Sequence, residues 1–173
     1  MRNSRKLVYV SGAPGSGKSS LAVPLAAELG YALLSKDRIK ETLHDAFGAP
    51  APDLAWSRRL GGAAMELLWT LAAGTPAVVL EANFRPHSQY ERAKLSGLAT
   101  QPVEVHGACP PELAARRYNA RVTHPVHVVT TLGLAAMAEY DRPVGIGTLV
   151  TVDTTVTVDV NAVASAVRDS HNE

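Results

Sequence analysis

The stretch Gly12-Ala13-Pro14-Gly15-Ser16-Gly17-Lys18-Ser19 decides the fold. It has the form G-x-x-x-x-G-K-[ST]. Before it runs the apolar segment Leu7-Val8-Tyr9-Val10, and after it Leu21, Leu25 and Leu29 recur at helical spacing. A buried strand, a glycine turn and a helix in that order are the context the motif requires. Gly12 lets the chain leave the strand sharply. Gly15 and Gly17 leave the backbone bare, so successive N–H groups can face phosphate oxygens where the helix dipole favours an anion. Lys18 would reach the β- and γ-phosphates, and the Ser19 hydroxyl would ligate Mg²⁺. Ala13, Pro14, Ser16 and Ser20 complete a cradle for a nucleoside triphosphate.

Outward from this loop, strand and helix patterns alternate. Helices are predicted over 18–29 (with Pro24 inside, where a kink is expected), 36–47, about 54–73, about 87–98, about 110–121, 128–140 and 160–167. Asp53 caps the third of these, whose expected apolar face is Leu60, Ala64, Leu67, Leu68 and Leu71. Strands are predicted over 7–10, 31–34, 77–80, 103–105 and 148–152, and the prolines of Gly48-Ala49-Pro50-Ala51-Pro52 mark a loop. Five such strands predict a parallel sheet covered on both faces, with ligands outside the carboxyl ends of the strands.

Charged residues gather near those ends. Asp37 follows the second strand; it is either a first-turn carboxylate or a base that takes the proton of an attacking hydroxyl. Lys40, one turn on, either pairs with Asp37 or binds a substrate anion. Glu81 ends a buried apolar run, where a carboxylate needs a partner. That partner is a Mg²⁺-bound water, the attacking group, or the ammonium or guanidinium of Lys18 or Arg85. Asn83 and Arg85 follow it toward the substrate side. Later, Arg116, Arg117 and Arg121 share one predicted helix, with Arg117 and Arg121 on one face. They form either a solvated basic face or a set closing over a transferring phosphoryl group.

The bulk numbers narrow the classes. The chain has 173 residues, enough for one domain over 1–173 with a lid-like helical segment at about 110–140. Lys+Arg 17 against Asp+Glu 16 gives no basic excess for long nucleic-acid tracts. No apolar run approaches the ~20 residues of a membrane span, and Leu7–Val10 is too short for a signal-peptide core. The lone Cys109 excludes an internal disulfide, and a cytoplasmic location is expected.

Together with Ser35-Lys-Asp-Arg-Ile-Lys40, Val78-Val-Leu-Glu-Ala-Asn-Phe84, the Arg116–Pro125 stretch and Val152-Asp-Thr-Thr155, the loop resembles the small P-loop kinases of the AAA-domain predicted-kinase group. That group is similar to chloramphenicol phosphotransferase and to the kinase half of bacteriophage polynucleotide kinase. The resemblance implies a three-layer α/β P-loop fold, with a five-stranded parallel sheet in the order 2-3-1-4-5, and ATP as the nucleotide. It implies that Asp37 matches the catalytic or hydroxyl-binding aspartate. Arg117 and Arg121 would match lid arginines, and Thr154 and Thr155 a segment against the adenine. Polynucleotide kinase has arginine where Lys40 stands and aspartate where Glu81 stands. The first departure weakens the case for a nucleic-acid acceptor. The expected function is ATP-dependent phosphoryl transfer to a small-molecule hydroxyl. The alternatives are a polynucleotide 5′-hydroxyl kinase and a nucleotide-binding switch with no acceptor.

Overall fold

A computed structural model describes residues 5–48 and 52–172. Residues 49–51 of the proline-marked loop lie outside the described residues. The elements are β1 (Lys6–Ser11), α1 (Lys18–Leu29), β2 (Ala32–Ser35), α2 (Lys36–Phe47), α3 (Leu54–Gly74), β3 (Ala77–Glu81) and α4 (Gln89–Leu98), then β4 (Val103–Ala108), α5 (Pro111–Ala120), α6 (Leu134–Met137), β5 (Thr148–Asp153) and α7 (Val160–Ser170). The five strands form one parallel sheet in the order β2-β3-β1-β4-β5, as expected.

The pleat of β1 divides the core. Val8 and Val10 face α1 and α7, packing on Leu21, Leu25, Val163 and Val167. Leu7 and Tyr9 face α3 and α4, packing on Leu68, Trp69, Ala72 and Leu95. Both faces of the central strands are therefore buried, which is why Val78-Val79-Leu80 reads as an unbroken apolar run. The register aligns Val10 and Ser35 with Glu81, so the ends of β1, β2 and β3 deliver their next residues to one rim.

Helix ends follow local chemistry. Gly30, at φ 69°, closes α1, and its N–H donates to the carbonyls of Ala26 and Ala27. Asp53 caps α3 by accepting from Trp56 N at 2.7 Å. Pro24 leaves the span of α1 unbroken, because Ser20, whose carbonyl loses its donor, is exposed to water.

Three expectations are corrected. The predicted helix over 128–140 shrinks to α6 and a 3₁₀ turn at Ala138–Tyr140. Residues 128–133 are not helical because their polar groups bond to α5. The Val129 carbonyl accepts from Tyr118, and Leu132 exchanges hydrogen bonds with the Asn119 amide. Second, the buried stripe of α3 is Ser57, Leu60, Ala64, Leu68, Trp69 and Ala72. Leu67 and Leu71 lie off that stripe, 38% and 46% exposed. Third, α5 stops at Ala120, and Arg121 is its extended C-cap at ψ 146°. The chain beyond is drawn toward α2, where His124 meets Asp45 at 3.1 Å and His127 meets Glu41 at 2.9 Å. No helix of the described residues is long and apolar enough to cross a membrane.

Candidate active site

The loop between β1 and α1 takes the shape its glycines allow. Gly12, Gly15 and Gly17 have φ of 133°, 81° and 89°. A Cβ at Gly15 would stand 2.1 Å from the Ala114 carbonyl, so the loop packs against the backbone of α5. Lys18 is buried, and its ammonium donates to the Ala13 carbonyl at 2.8 Å. Burial pushes its pKa down to about 8, against the opposing pull of Glu81 and Asp37. Ser16 is also buried, and its Oγ has no hydrogen-bond partner among the described residues.

Glu81, 5% exposed, is solvated by hydroxyls. One carboxylate oxygen accepts from Ser19 at 3.2 Å and the other from Ser35 at 2.6 Å. Neither Lys18 nor Arg85 lies within salt-bridge distance of it among the described residues, so the ion-pair alternative is set aside. Arg85 turns outward to Glu139 at 3.5 Å, while its backbone N–H donates to Glu91 at 2.6 Å.

Asp37 lies in the first turn of α2 and pairs with Lys36 at 2.9 Å. Burial raises its pKa, but Lys36, His127 and Lys40 outweigh that and hold the carboxyl below its ordinary value. Lys40 is not its salt-bridge partner. The Lys40 ammonium donates to Ser57 Oγ at 2.8 Å, and that hydroxyl donates to the Val126 carbonyl at 2.8 Å.

The two candidate arginines do not share a face. Arg117 donates to the Thr154 carbonyl at 2.9 Å, tying α5 to the turn after β5. Arg121 lies over the Tyr118 ring, 4.0 Å from its centroid. Arg116 is exposed on α5. Thr154 is buried and bonds to the Ala108 carbonyl through both N–H and hydroxyl. Thr155 turns away, onto the Asp153 carboxylate at 2.6 Å from its hydroxyl.

Three cavities converge on the loop. One of about 410 Å³ runs past Gly17, Ser20, Arg117, Thr154, Val156 and Val160. Another, of about 200 Å³, holds Ser19, Ser35, Asp37, Glu81 and Arg121. The third, of about 490 Å³, is bounded by Pro14, Asp37, Lys40, Asn83, Arg85 and Arg121, with α3 supplying Ser57, Arg58 and Met65. Asp37 and Arg121 line both of the last two, so they stand at the junction. Trp56 lies outside all three cavities and donates to His44 Nδ1 at 3.1 Å.

The oxygen donors at Ser19 and Glu81 suit a hard cation such as Mg²⁺. The glycine-lined turn at the N-terminus of α1, beside a buried ammonium, suits a polyphosphate.

Sequence patterning missed Glu104. This buried carboxylate on β4 accepts from Ser11, Tyr9 (3.0 Å), Val144 N (2.7 Å) and Gly145 N (2.8 Å). It fastens the chain entering β5 beneath the loop. The signal that marks Glu81, an acid in an apolar strand, was present in Val103-Glu104-Val105 as well.

Comparison with known proteins agrees with this fold. Residues 7–143 match a family model described as AAA domain. The chain is 29% identical to a provisionally assigned kinase from Chloroflexus aurantiacus J-10-fl, with TM-score 0.79 over 96% of this chain and 98% of that one. A gluconokinase from Sinorhizobium meliloti 1021 gives 21% identity and TM-score 0.59 over 99% and 97% of the two chains. A shikimate kinase from Acinetobacter baumannii, solved with shikimate, gives 18% and 0.59 over 95% and 92%. The last two share the fold. No curated protein matches the chain.

Proposed function

This chain belongs to the AAA domain family, and from that premise we propose that it is a kinase moving the γ-phosphate of ATP to a hydroxyl of a small molecule. One observation carries the reading. The Asp37 carboxylate stands where the cavity of Ser19 and Glu81 meets a second cavity large enough for an acceptor. A switch without an acceptor has no need of that second space. The net charge of +1 offers no support for a polynucleotide acceptor.

In this reading the amides of residues 15–19 hold the phosphates, and the 410 Å³ cleft beside Thr154 takes the base and ribose. Lys18 exchanges the Ala13 carbonyl for β- and γ-phosphate oxygens, which stabilises a charge that burial disfavours. Ser19, with Glu81 through a water, would hold Mg²⁺, which when bound would neutralise charge on the phosphates. The acceptor oxygen forms a bond to the γ-phosphorus as the bond to the β-bridging oxygen breaks. ADP leaves with that electron pair, and the hydroxyl proton passes to Asp37 and then to water. Lys36 and its neighbours keep Asp37 ionised at neutral pH, ready to orient the hydroxyl. Arg121, at the end of α5, meets charge on the transferring group. Segment 110–140 acts as the lid, and Arg117 couples it to the nucleotide side through Thr154.

The test is Asp37→Asn. With an acceptor found by screening metabolites against the ATP-loaded protein, the variant should bind ATP as wild type does and lose about 10²–10⁴ in kcat. Transfer at the wild-type rate would remove Asp37 from the mechanism.

A further inference from the structure

We propose that Glu41 and His127 are positioning residues for phosphoryl transfer: their pair ties the segment that sets Arg121 to the helix that carries Asp37, so that the base and the arginine meet the γ-phosphate in one fixed geometry. The proposal rests on the phosphotransfer reading and adds to it the pair that holds its two charged groups in register.

Arg121 lies just past the end of α5, with no carboxylate within salt-bridge distance among the described residues. Its guanidinium rests on the Tyr118 ring, 4.0 Å from the centroid. Where that ring stands depends on the chain beyond, because the Tyr118 hydroxyl donates to the Val129 carbonyl at 2.7 Å. Two residues before Val129 comes His127, whose Nε2 lies 2.9 Å from a Glu41 carboxylate oxygen. A carboxylate only accepts, so Nε2 carries the proton and donates. Glu41 stands one turn after Asp37 on the same face of α2. The contacts thus run without a gap from the helix of Asp37 to the guanidinium of Arg121.

Three anchors hold this part of the segment, and they differ in where they lie. Val126 is fully buried, and its carbonyl accepts from Ser57 at 2.8 Å, which fixes the chain to α3. His124 meets Asp45, whose side chain is 67% exposed, where a charge pair adds little. Of the three, only His127 lines both cavities in which Asp37 and Arg121 meet, and Glu41 lines one of them. Against burial, which raises the Asp37 pKa, His127 joins Lys36 in holding that carboxyl below its ordinary value. Arg121 answers charge that develops on the transferring group, so a looser Arg121 weakens the transition state more than it weakens bound ATP. The effect of the pair therefore belongs to transfer rather than to nucleotide binding.

The experiment uses the full chain with Mg²⁺ and two probes. A non-hydrolysable ATP analogue represents the ground state; ADP with aluminium fluoride imitates the phosphoryl group in flight, with water as acceptor. Calorimetry reads both affinities in wild type, Glu41→Ala, His127→Ala, their double variant and Arg121→Ala. The analogue should bind both single variants and the double within about twofold of wild type, since the pair does not touch the nucleotide. The fluoride complex should bind each single variant about tenfold more weakly, and the double no more weakly than either, because the two side chains act as one unit. Glu41→Ala removes a helix side chain that is 35% exposed, so it spares the fold and carries the test by itself. Wild-type affinity of Glu41→Ala for the fluoride complex, beside a loss in Arg121→Ala, overturns the proposal alone. So do equal losses for the two probes, or losses that add in the double variant. A fluoride complex that binds Arg121→Ala as tightly as wild type sinks the role given to Arg121 in the phosphotransfer reading, and this proposal with it.

Discussion

The Ser19 hydroxyl donates to the Glu81 carboxylate at 3.2 Å, joining the first turn of α1 to the end of β3. Two oxygen donors from different elements are thus held together by the protein's own hydrogen bonds, with Ser35 steadying the second carboxylate oxygen. Such preorganisation suits a divalent ion shared with a polyphosphate.

The first prediction follows from that pair. Mg²⁺ should tighten binding of a non-hydrolysable ATP analogue to wild type about tenfold or more, and Ser19→Ala should lose most of that gain. Glu81→Gln should show the same loss more weakly, because in the proposed site it would act on the ion through a water. Titration calorimetry with and without Mg²⁺ reads both. An equal Mg²⁺ effect in all three proteins would detach these residues from the metal.

Lys18 makes a pH prediction. Its folded pKa, about 8, lies below the ordinary 10.5 because burial penalises the ammonium. Between those values the unfolded chain binds more protons, so this group raises stability as pH rises through the window. Below about 8 the folded protein bears the full cost of the buried charge, on the order of 3 kcal/mol. Unliganded Lys18→Met should therefore be more stable than wild type at pH 7, with the gap closing by pH 10.5. Urea midpoints of both proteins across pH 7 to 10.5 check this; a gap that stays constant contradicts it.

Arg117 and Arg121 should separate kinetically. Arg117 holds the Thr154 carbonyl beside the 410 Å³ cleft. Arg117→Ala should then raise KM for ATP several-fold with a smaller effect on kcat. Arg121 lines the cavities that meet at Asp37, and Arg121→Ala should lower kcat by about 10²-fold or more. Identical kinetic profiles would mean that the two act as one group.

Glu104 carries a stability prediction with no catalytic partner. Its carboxylate gathers Tyr9, Ser11 and the backbone N–H groups of Val144 and Gly145. Glu104→Ala should cost about 3–5 kcal/mol, because several buried donors lose their acceptor together. Chemical denaturation measures it. A loss below about 1 kcal/mol would mean that the segment entering β5 is held by other contacts.

The legible parts of the molecule were those governed by neighbours in sequence. The glycines of the phosphate loop announced their sharp turn, Asp53 its cap, and the apolar runs their strands and parallel pairing, while the strand order was implied by the family resemblance alone. The segment from Arg121 to Gly133 was not legible. Its path depends on partners far along the chain, including Ser57 for Val126, Glu41 for His127 and Asp45 for His124. Helical spacing therefore placed Arg117 and Arg121 on one face, while tertiary contacts end the helix between them. Side-chain pairing was equally hidden. Spacing along α2 suggested Lys40 as the mate of Asp37, yet adjacent Lys36 folds over it and Lys40 reaches across to α3.

Calorimetric titration of Mg·ATP into wild type and Lys18→Ala tests the central claim most directly. Wild type should bind one equivalent, and Lys18→Ala, folded by circular dichroism, should bind at least tenfold more weakly. No uptake by folded wild type, or equal uptake by both proteins, would contradict a triphosphate seated on Gly12 to Ser19.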